Sequence, residues 1–155
     1  MVPITVSIII CSFNRAEHLR LTLASMADVC IPETMKAELI VVDNASTDDT
    51  AQVVKECNLA DVNVRYIYES RQGQCYARNT GLAEARGQII LFTDDDVRFP
   101  LHWLESMCRP IAYGSAKAVA GGITMAPHHK RSWMRQHPRA SSASGRFRSR
   151  TSASS

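Results

Sequence analysis

The sequence predicts an α/β fold: a mostly parallel sheet with helices on both faces. Short apolar runs such as residues 6–11 and 38–42 have the length and composition of buried strands. They alternate with longer segments whose apolar residues recur at helical spacing. Strand–helix alternation favours parallel strands joined by right-handed crossovers, so the carboxyl ends of the strands should share one edge of the sheet.

Five strands are predicted. The run at 88–93 has the composition of a strand buried on both faces, whereas residues 62–68 alternate apolar and polar side chains, as expected near a sheet edge. Gly121 and Gly122 weaken the fifth strand. The predicted strands are residues 6–11, 38–42, 62–68, 88–93 and 118–123.

Four helices are predicted from their end signals. Asn14 suits the N-cap of the first, and Ser46 with Asp49 forms a variant capping box for the second. Gly87 suits the C-terminal cap of the third, and Pro100 the first turn of the fourth. The predicted helices are residues 15–27, 46–57, 75–85 and 100–109.

Three adjacent carboxylates, Asp94, Asp95 and Asp96, follow the strand at 88–93. Adjacent carboxylates repel one another unless water, a cation or a basic partner offsets the repulsion. In open α/β sheets, ligands bind in the crevice beyond the strand ends. Two interpretations stay open: a Mg²⁺ or Mn²⁺ site that holds a phosphate-bearing ligand, and a solvated acidic turn.

Two further polar residues are predicted near this crevice. Asp43 ends the second strand and has no evident local structural role. Arg78 lies near the start of the third helix, where a surface salt bridge and a phosphate contact are equally good explanations. Right-handed crossovers should bring Phe13, Asp43 and the acidic triplet to the same edge.

Composition limits the class of protein. The 155 residues suffice for one domain, and no apolar run approaches the roughly 18 residues of a membrane span. Five scattered cysteines without a Cys-x-x-Cys pair predict reduced core residues of a cytoplasmic protein, with the inner face of the membrane as a further location. The pair His128 and His129 lacks partners at metal-ligand spacing and is predicted to lie in a solvated loop. Neither a G-x-G-x-x-G dinucleotide motif, a P-loop nor a G-x-S-x-G elbow is found.

Four segments together resemble the family 2 glycosyltransferases of the GT-A fold. They are SIIICSFNR at 7–15, LIVVDNASTD at 39–48, ARNTGL and its continuation at 77–87, and FTDDDV at 92–97. The resemblance covers roughly residues 4–126. It implies a Rossmann-like nucleotide-diphospho-sugar transferase fold, incomplete at the C-terminus, and transfer of a sugar to an acceptor hydroxyl, for instance in synthesis of cell-surface polysaccharide or glycoconjugates.

The resemblance also implies site residues, a Mg²⁺ or Mn²⁺ cofactor and a nucleotide-sugar donor, with a UDP-sugar favoured. The metal would fall on either Asp95 or Asp96, and the acidic triplet would be the family's D-x-D-type motif. Metal at this position would stabilise the charge of the leaving nucleotide diphosphate. The implied nucleotide-sugar contacts are Ser12, Phe13 and Asp43 at the base, Arg78 near the diphosphate and Asp94 near the ribose.

The chain departs from the family pattern after Glu105, beyond which it has no Asp or Glu to serve as general base. Residues 1–126 carry 11 basic and 15 acidic residues, whereas 127–155 carry seven basic and none acidic. We therefore expect a partial donor-binding domain at 1–126 and a disordered Ser/Arg-rich tail at 127–155. A truncated or out-of-frame end explains this tail better than a nucleic-acid-binding arm.

Three hypotheses follow from the sequence. The chain is an active glycosyltransferase, a donor-binding remnant without catalysis, or a small interaction module with a basic tail for nucleic acid or an anionic membrane surface. The four matching segments favour the first two, and nucleic acid is not expected as a partner.

Overall fold

The computed structural model describes residues 2–122 and residue 124, and within them strands and helices alternate along the chain. The strands are β1 (Ile4–Ser12), β2 (Met35–Asp43), β3 (Val62–Tyr68) and β4 (Ile89–Thr93). The helices are α1 (Ala16–Met26), α2 (Thr50–Glu56), α3 (Gln74–Glu84) and α4 (Trp103–Ala112). All of these elements belong to one unit, Met1–Val119, whereas the second unit, Ala120–Ser155, falls mostly outside the described residues. The predicted tail at 127–155 and its histidine pair lie entirely outside them.

The sheet has the order β3-β2-β1-β4, and every neighbouring pair is parallel. In this register Ser12 is opposite Asp43, and Ile10 is opposite Thr93. The carboxyl ends of β1, β2 and β4 therefore lie side by side, which confirms the predicted α/β fold and the common edge.

The larger core lies on one face of the sheet. Ile8, Ile10 and Leu39 are fully buried there, together with Leu19 of α1 and Leu104 of α4. Apolar residues at helical spacing supply this contact in α1, α2 and α4, so most of the hydrophobic stabilisation comes from this layer.

The smaller core lies on the opposite face, where α3 packs on β1 and β2. Ile9, Ile40 and Val42 are buried against Ala77 of the helix. A Cβ atom at Gly81 would lie 2.6 Å from Ile9 Cγ2, so this glycine allows the close approach of α3 to the sheet. Helices thus cover both faces, as the sequence predicts.

Two strand predictions were wrong. Among the described residues β4 lies at the edge of the sheet rather than being buried on both faces, and Phe92 is 45% exposed. No strand forms over residues 118–122, the described part of the predicted fifth strand. The two glycines there leave no side chains at 121 and 122 that could pack on a neighbouring strand.

The two predicted N-caps were also wrong, since these side chains bind a neighbouring loop instead of their own helix. The N-cap residues are Arg15 for α1 and Asp49 for α2, and neither makes a side-chain capping bond. Asn14 Oδ1 accepts a hydrogen bond from Thr47 N at 2.7 Å, and Asn14 N donates to Ser46 Oγ at 2.9 Å. These bonds join the loops after β1 and β2, both of which border the carboxyl edge.

The remaining end signals have other roles. Helix α3 ends at Glu84, before the predicted cap at Gly87, which instead packs on β1: a Cβ there would lie 2.4 Å from Ser7 N. Pro100 precedes α4, which begins only at Trp103.

All five cysteines are free, and none pairs in a disulfide. Only Cys108 is buried, and Cys30 and Cys75 are exposed, so the prediction of core cysteines fails for these two. Within the described residues, no helix combines the length and the apolar character needed to cross a membrane.

Candidate functional site

An open cavity of about 500 Å³ lies at the carboxyl edge of the sheet. Its walls come from four separate parts of the chain: the end of β1 with the following loop, the residue after β2, the segment that leads into α3 with its first turn, and the acidic triplet after β4. The residues from these parts are Cys11, Ser12, Phe13 and Arg15, then Asn44, then Gln72, Gly73, Gln74 and Ala77, and finally Asp94, Asp95 and Asp96.

Asp95 is the buried member of the acidic triplet, with 4% of its surface exposed. Its Oδ2 accepts a hydrogen bond from Ser12 Oγ at 2.7 Å, and its Oδ1 lies 3.0 Å from Arg15 Nη1. The Asp95 carbonyl accepts a further bond from the buried Thr22 hydroxyl. The carboxylate of Asp95 therefore connects β1 and the following loop to the end of β4, and its carbonyl connects α1.

Asp94 and Asp96 are both more exposed at the cavity and face different arginines. Asp96 Oδ2 accepts a hydrogen bond from Arg15 Nη2 at 2.8 Å. Asp94 Oδ1 lies 3.8 Å from Arg78 Nη2, an ion-pair distance beyond that of a hydrogen bond. Arg15 and Arg78 thus supply the basic partners that offset the repulsion among the three carboxylates. In this structure Arg78 forms a surface ion pair with Asp94.

Asp43 has a structural role that sequence analysis missed. It is 2% exposed and is not among the residues that line the cavity. Oδ1 accepts a hydrogen bond from Ser46 N at 2.8 Å, and Oδ2 accepts one from the Tyr66 hydroxyl at 2.7 Å. Burial and the bond to Asp43 raise the pKa of Tyr66 to about 12, so its hydroxyl stays a donor at neutral pH.

Phe13 lies at the mouth of the cavity, with 44% of its surface exposed. An exposed aromatic face beside polar groups is a suitable stacking surface for a planar ring. Cys11 lies deeper in the same wall. Burial raises the pKa of the Cys11 thiol to about 11, so the group is a neutral thiol rather than a nucleophilic thiolate at pH 7.

The segment before α3 contains the site residues that sequence analysis did not single out. Asn44 and Glu69 fix the backbone of residues 71–73 through part-buried hydrogen bonds. Glu69 directly follows β3, as the acidic triplet follows β4, and this matching position was the signal that could have found it.

The family model described as "Glycosyl transferase family 2" matches residues 7–153, most of the chain. The chain belongs to this glycosyltransferase family. The match begins in β1 and extends through the cavity residues and into the region that the sequence predicts as a tail.

Relatives and solved structures agree with this assignment. Glycosyltransferase AglE of Haloferax volcanii is 33% identical over 119 residues, which make up 76% of this chain. A crystal structure of Staphylococcus aureus TarS 1-349 in complex with UDP aligns with a TM-score of 0.64 and 27% identity over 78% of this chain. TarS is named a poly(ribitol-phosphate) β-N-acetylglucosaminyltransferase.

A third protein agrees in fold alone. The mannosyltransferase PcManGT of Pyrobaculum calidifontis, solved in complex with GDP-Man and Mn²⁺, aligns with a TM-score of 0.64 over 81% of this chain, at 23% identity. This chain spans 39% of AglE and 38% and 37% of the two solved chains. The GT-A fold of this family 2 chain is thus shown over its described part, and the activity of a whole glycosyltransferase is not.

The cavity residues are compatible with binding of a divalent cation such as Mg²⁺ or Mn²⁺. No cluster of three His, Cys, Asp or Glu side chains suited to a metal occurs among the described residues. Mg²⁺ needs only one or two protein carboxylates when substrate phosphates and water complete its shell. Asp96, whose side chain is 46% exposed, meets this requirement better than Asp95, whose oxygens are engaged with Ser12 and Arg15.

Proposed function

We propose that this family 2 chain forms the donor site of a glycosyltransferase that moves a sugar from a metal-bound nucleotide-sugar to an acceptor hydroxyl. The observation that carries the proposal is the single cavity bordered by Ser12, Phe13 and the acidic triplet, which come from distant parts of the sequence. Ligands of open α/β sheets bind in this position, beyond the strand ends.

The nucleotide base would lie against Phe13, with Ser12 at its polar edge. Asp43 is buried with both oxygens bonded, so it would reach the base only after the loop at Ser46 shifts on binding. The exposed ring of Phe13 supports stacking, and the Tyr66 hydroxyl would hold the Asp43 carboxylate in a fixed orientation. UDP is the favoured nucleotide because TarS, at 27% identity, is solved with it.

Asp96 is the proposed metal ligand. Asp95 would help to position it, because both carboxylates bind the same arginine, Arg15. Exposure supports this choice: the Asp96 side chain is 46% exposed and that of Asp95 only 5%. Asp94 would contact the ribose, and Arg78 would turn from Asp94 toward the diphosphate. A bound Mg²⁺ or Mn²⁺ would supply positive charge next to the departing diphosphate. Arg15 and Arg78 would add to that stabilisation from the protein side.

A polymer or glycoconjugate of the cell surface is the proposed acceptor class, because TarS is named for transfer to poly(ribitol-phosphate). We place the protein in the cytoplasm or at the inner face of the membrane. All five of its cysteines are free, and two of them are exposed, which suits a reducing compartment.

A second function, donor binding without transfer, is favoured by one observation. The sequence has no Asp or Glu after Glu105, where a general base for the acceptor would be expected. The chain would then hold the nucleotide-sugar and release it unchanged or transfer it only with residues supplied from elsewhere.

Isothermal titration of UDP with and without Mn²⁺ tests the donor site. We expect binding that strengthens by roughly tenfold with Mn²⁺ and loses this gain in Asp96→Asn, since one coordinating carboxylate is removed. Asp61→Asn is the matched control: it removes the same charge next to the start of β3, at the far edge of the sheet. UDP binding that is absent or insensitive to Mn²⁺ would refute the proposal. Product formation from UDP-sugars and mixed acceptors then separates transfer from binding alone.

A further inference from the structure

The segment between β3 and α3 forms one wall of the cavity. Gln72 and Gly73 line it, as does Gln74 at the start of α3. A short connection of this kind is ordinarily mobile, because its backbone lacks the ladder bonds of a strand. Here buried polar side chains hold it from two directions.

Glu69 holds the segment from inside. The residue is 6% exposed, and its Oε1 accepts hydrogen bonds from Arg71 N and Arg71 Nε, each at 2.9 Å. Oε2 accepts from Arg71 Nη2 at 2.9 Å and from the Thr80 hydroxyl of α3. The bonds from Arg71 and Thr80 hold the pKa of the Glu69 carboxyl far below its usual range. One carboxylate thus connects the end of β3, the segment and the helix.

Asn44 holds the same segment from the β2 side. Its Oδ1 accepts a hydrogen bond from Gly73 N at 2.7 Å, and its Nδ2 donates to the carbonyl of Arg71 at 2.7 Å. Asn44 is 5% exposed and directly follows Asp43. The position of the cavity wall is therefore coupled to the end of the strand that carries the proposed base contact.

Gly73 connects this wall to the helix. It adopts φ 137°, a conformation that L side chains rarely adopt, and its carbonyl accepts the amides of Tyr76 and Ala77 in the first turn of α3. The Arg71 guanidinium also lies 4.8 Å from the centre of the Tyr76 ring. Bonds on both sides of Gln72 leave little freedom in the backbone that faces the cavity.

We propose that Glu69, together with Asn44, is a positioning residue of the nucleotide site: it fixes residues 71–74 as a preformed wall for a nucleoside diphosphate. The inference rests on the proposed function, which supplies the ligand. A preformed wall spares the ligand the entropy of ordering this segment, so losing it weakens binding without removing any ligand contact.

The chain contains a matched control at the other end of α3. The Glu38 side chain is 13% exposed and accepts hydrogen bonds from the Ser7 hydroxyl at 2.6 Å and from Arg86 N at 2.8 Å. Arg65 Nη1 lies 3.2 Å from its second oxygen. None of these partners lines the cavity, so Glu38 is a half-buried carboxylate with several hydrogen bonds in a position where it does not shape the site.

The experiment compares Glu69→Gln with Glu38→Gln. Both changes keep the size of the side chain and replace an acceptor oxygen by an amide donor. Binding is measured at a temperature at which circular dichroism shows both variants to be folded. We expect Glu69→Gln to weaken UDP binding by roughly tenfold and Glu38→Gln by less than about twofold. Thr80→Val, which removes only the bond to the helix, should weaken UDP binding by an intermediate factor and replaces Glu69→Gln if that variant does not fold.

Amide hydrogen exchange without ligand supplies an independent readout. The amide of Gly73 should exchange roughly tenfold faster in Glu69→Gln than in wild type. Its exchange rate in Glu38→Gln should equal that of wild type. Equal UDP affinity of the two folded variants, or equal protection of Gly73, would overturn the positioning role. If wild type binds no nucleotide, the proposed function and the ligand fail together, and Gly73 exchange still decides whether Glu69 holds the segment.

Discussion

A glutamate holds the chain on each side of helix α3: the half-buried Glu38 binds the segment after the helix, and the buried Glu69 binds the segment before it. The two sides differ in what they serve. At the C-terminal end, Glu38 binds Ser7, Arg65 and the Arg86 amide. On the N-terminal side, Glu69 binds Arg71 of the segment that leads to the cavity wall, and it also binds Thr80 within the helix. The chemistry is nearly the same, yet only the second network shapes a surface that a ligand can reach. A buried, ion-paired carboxylate therefore indicates function through what it holds in place.

The pKa shifts illustrate the same lesson. Burial disfavours the charged form of Glu38, but hydrogen bonds from Ser7, Arg86 and Arg65 outweigh it, so its pKa is lowered. The pKa of Glu69 is lowered as well, chiefly by Arg71 and Thr80. A perturbed pKa alone would select both residues as site candidates, and the cavity lining separates them.

The largest expected effect lies at the end of α3 away from the cavity. Gly87→Ala should destabilise the fold by about 2 kcal/mol, because the new Cβ would lie 2.4 Å from Ser7 N, a backbone atom that cannot turn aside. UDP affinity of the folded fraction should stay within about twofold of wild type, as Gly87 and Ser7 do not line the cavity. Urea denaturation and calorimetric titration measure the two quantities.

Gly122→Ala is the control for this change, since no described atom lies within 4 Å of the Cβ it would add. Its free energy of unfolding should stay within about 0.5 kcal/mol of wild type. A Gly87→Ala protein that is fully stable, or one that loses nucleotide binding while folded, would show that the two ends of the helix are not separate in the way described.

A smaller effect concerns pH. Because the pKa values of Glu38 and Glu69 are lowered in the folded state, the unfolded chain binds more protons in acid. Their contribution to stability is complete above the ordinary glutamate value of 4.5 and is lost progressively as the pH falls below it. Glu38→Gln and Glu69→Gln should each flatten the decrease of the unfolding free energy below that pH.

Only Glu69→Gln should also weaken UDP binding at pH 7, where both native carboxylates are ionised. Chemical denaturation at a series of pH values from 7 to about 3 measures the stability profile. An unflattened profile in both variants would contradict the assignment of these bonds as stabilising.

The fold could be predicted where a local pattern decides the structure. The apolar run of β1 and the helical spacing of Leu19 and Leu23 in α1 depend on burial alone, so their elements formed where expected. The helix caps could not be predicted, because Asn14 and Ser46 bind each other's loops across 32 residues of sequence, a choice that only the assembled sheet makes possible.

The candidate site could be predicted as far as strand topology reaches. Ser12, Phe13 and the acidic triplet meet at the cavity because parallel strands align their carboxyl ends. The burial of Asp43 behind Tyr66, and the arginine partners of the triplet, depend on side-chain directions that no spacing encodes. The position of Glu69 directly after β3 could have marked it as a candidate, but its role could not be predicted, because its bond to Thr80 forms only once α3 packs on the sheet.

The position of Mn²⁺ in crystals grown with UDP tests the central claim most directly, since anomalous scattering locates the ion independently of the protein atoms. We predict one strong peak within coordination distance of the Asp96 carboxylate, shared with the diphosphate of UDP, and a uracil ring lying on Phe13. A peak at any other part of the molecule, or a nucleotide bound away from the cavity at the carboxyl edge, would contradict the account.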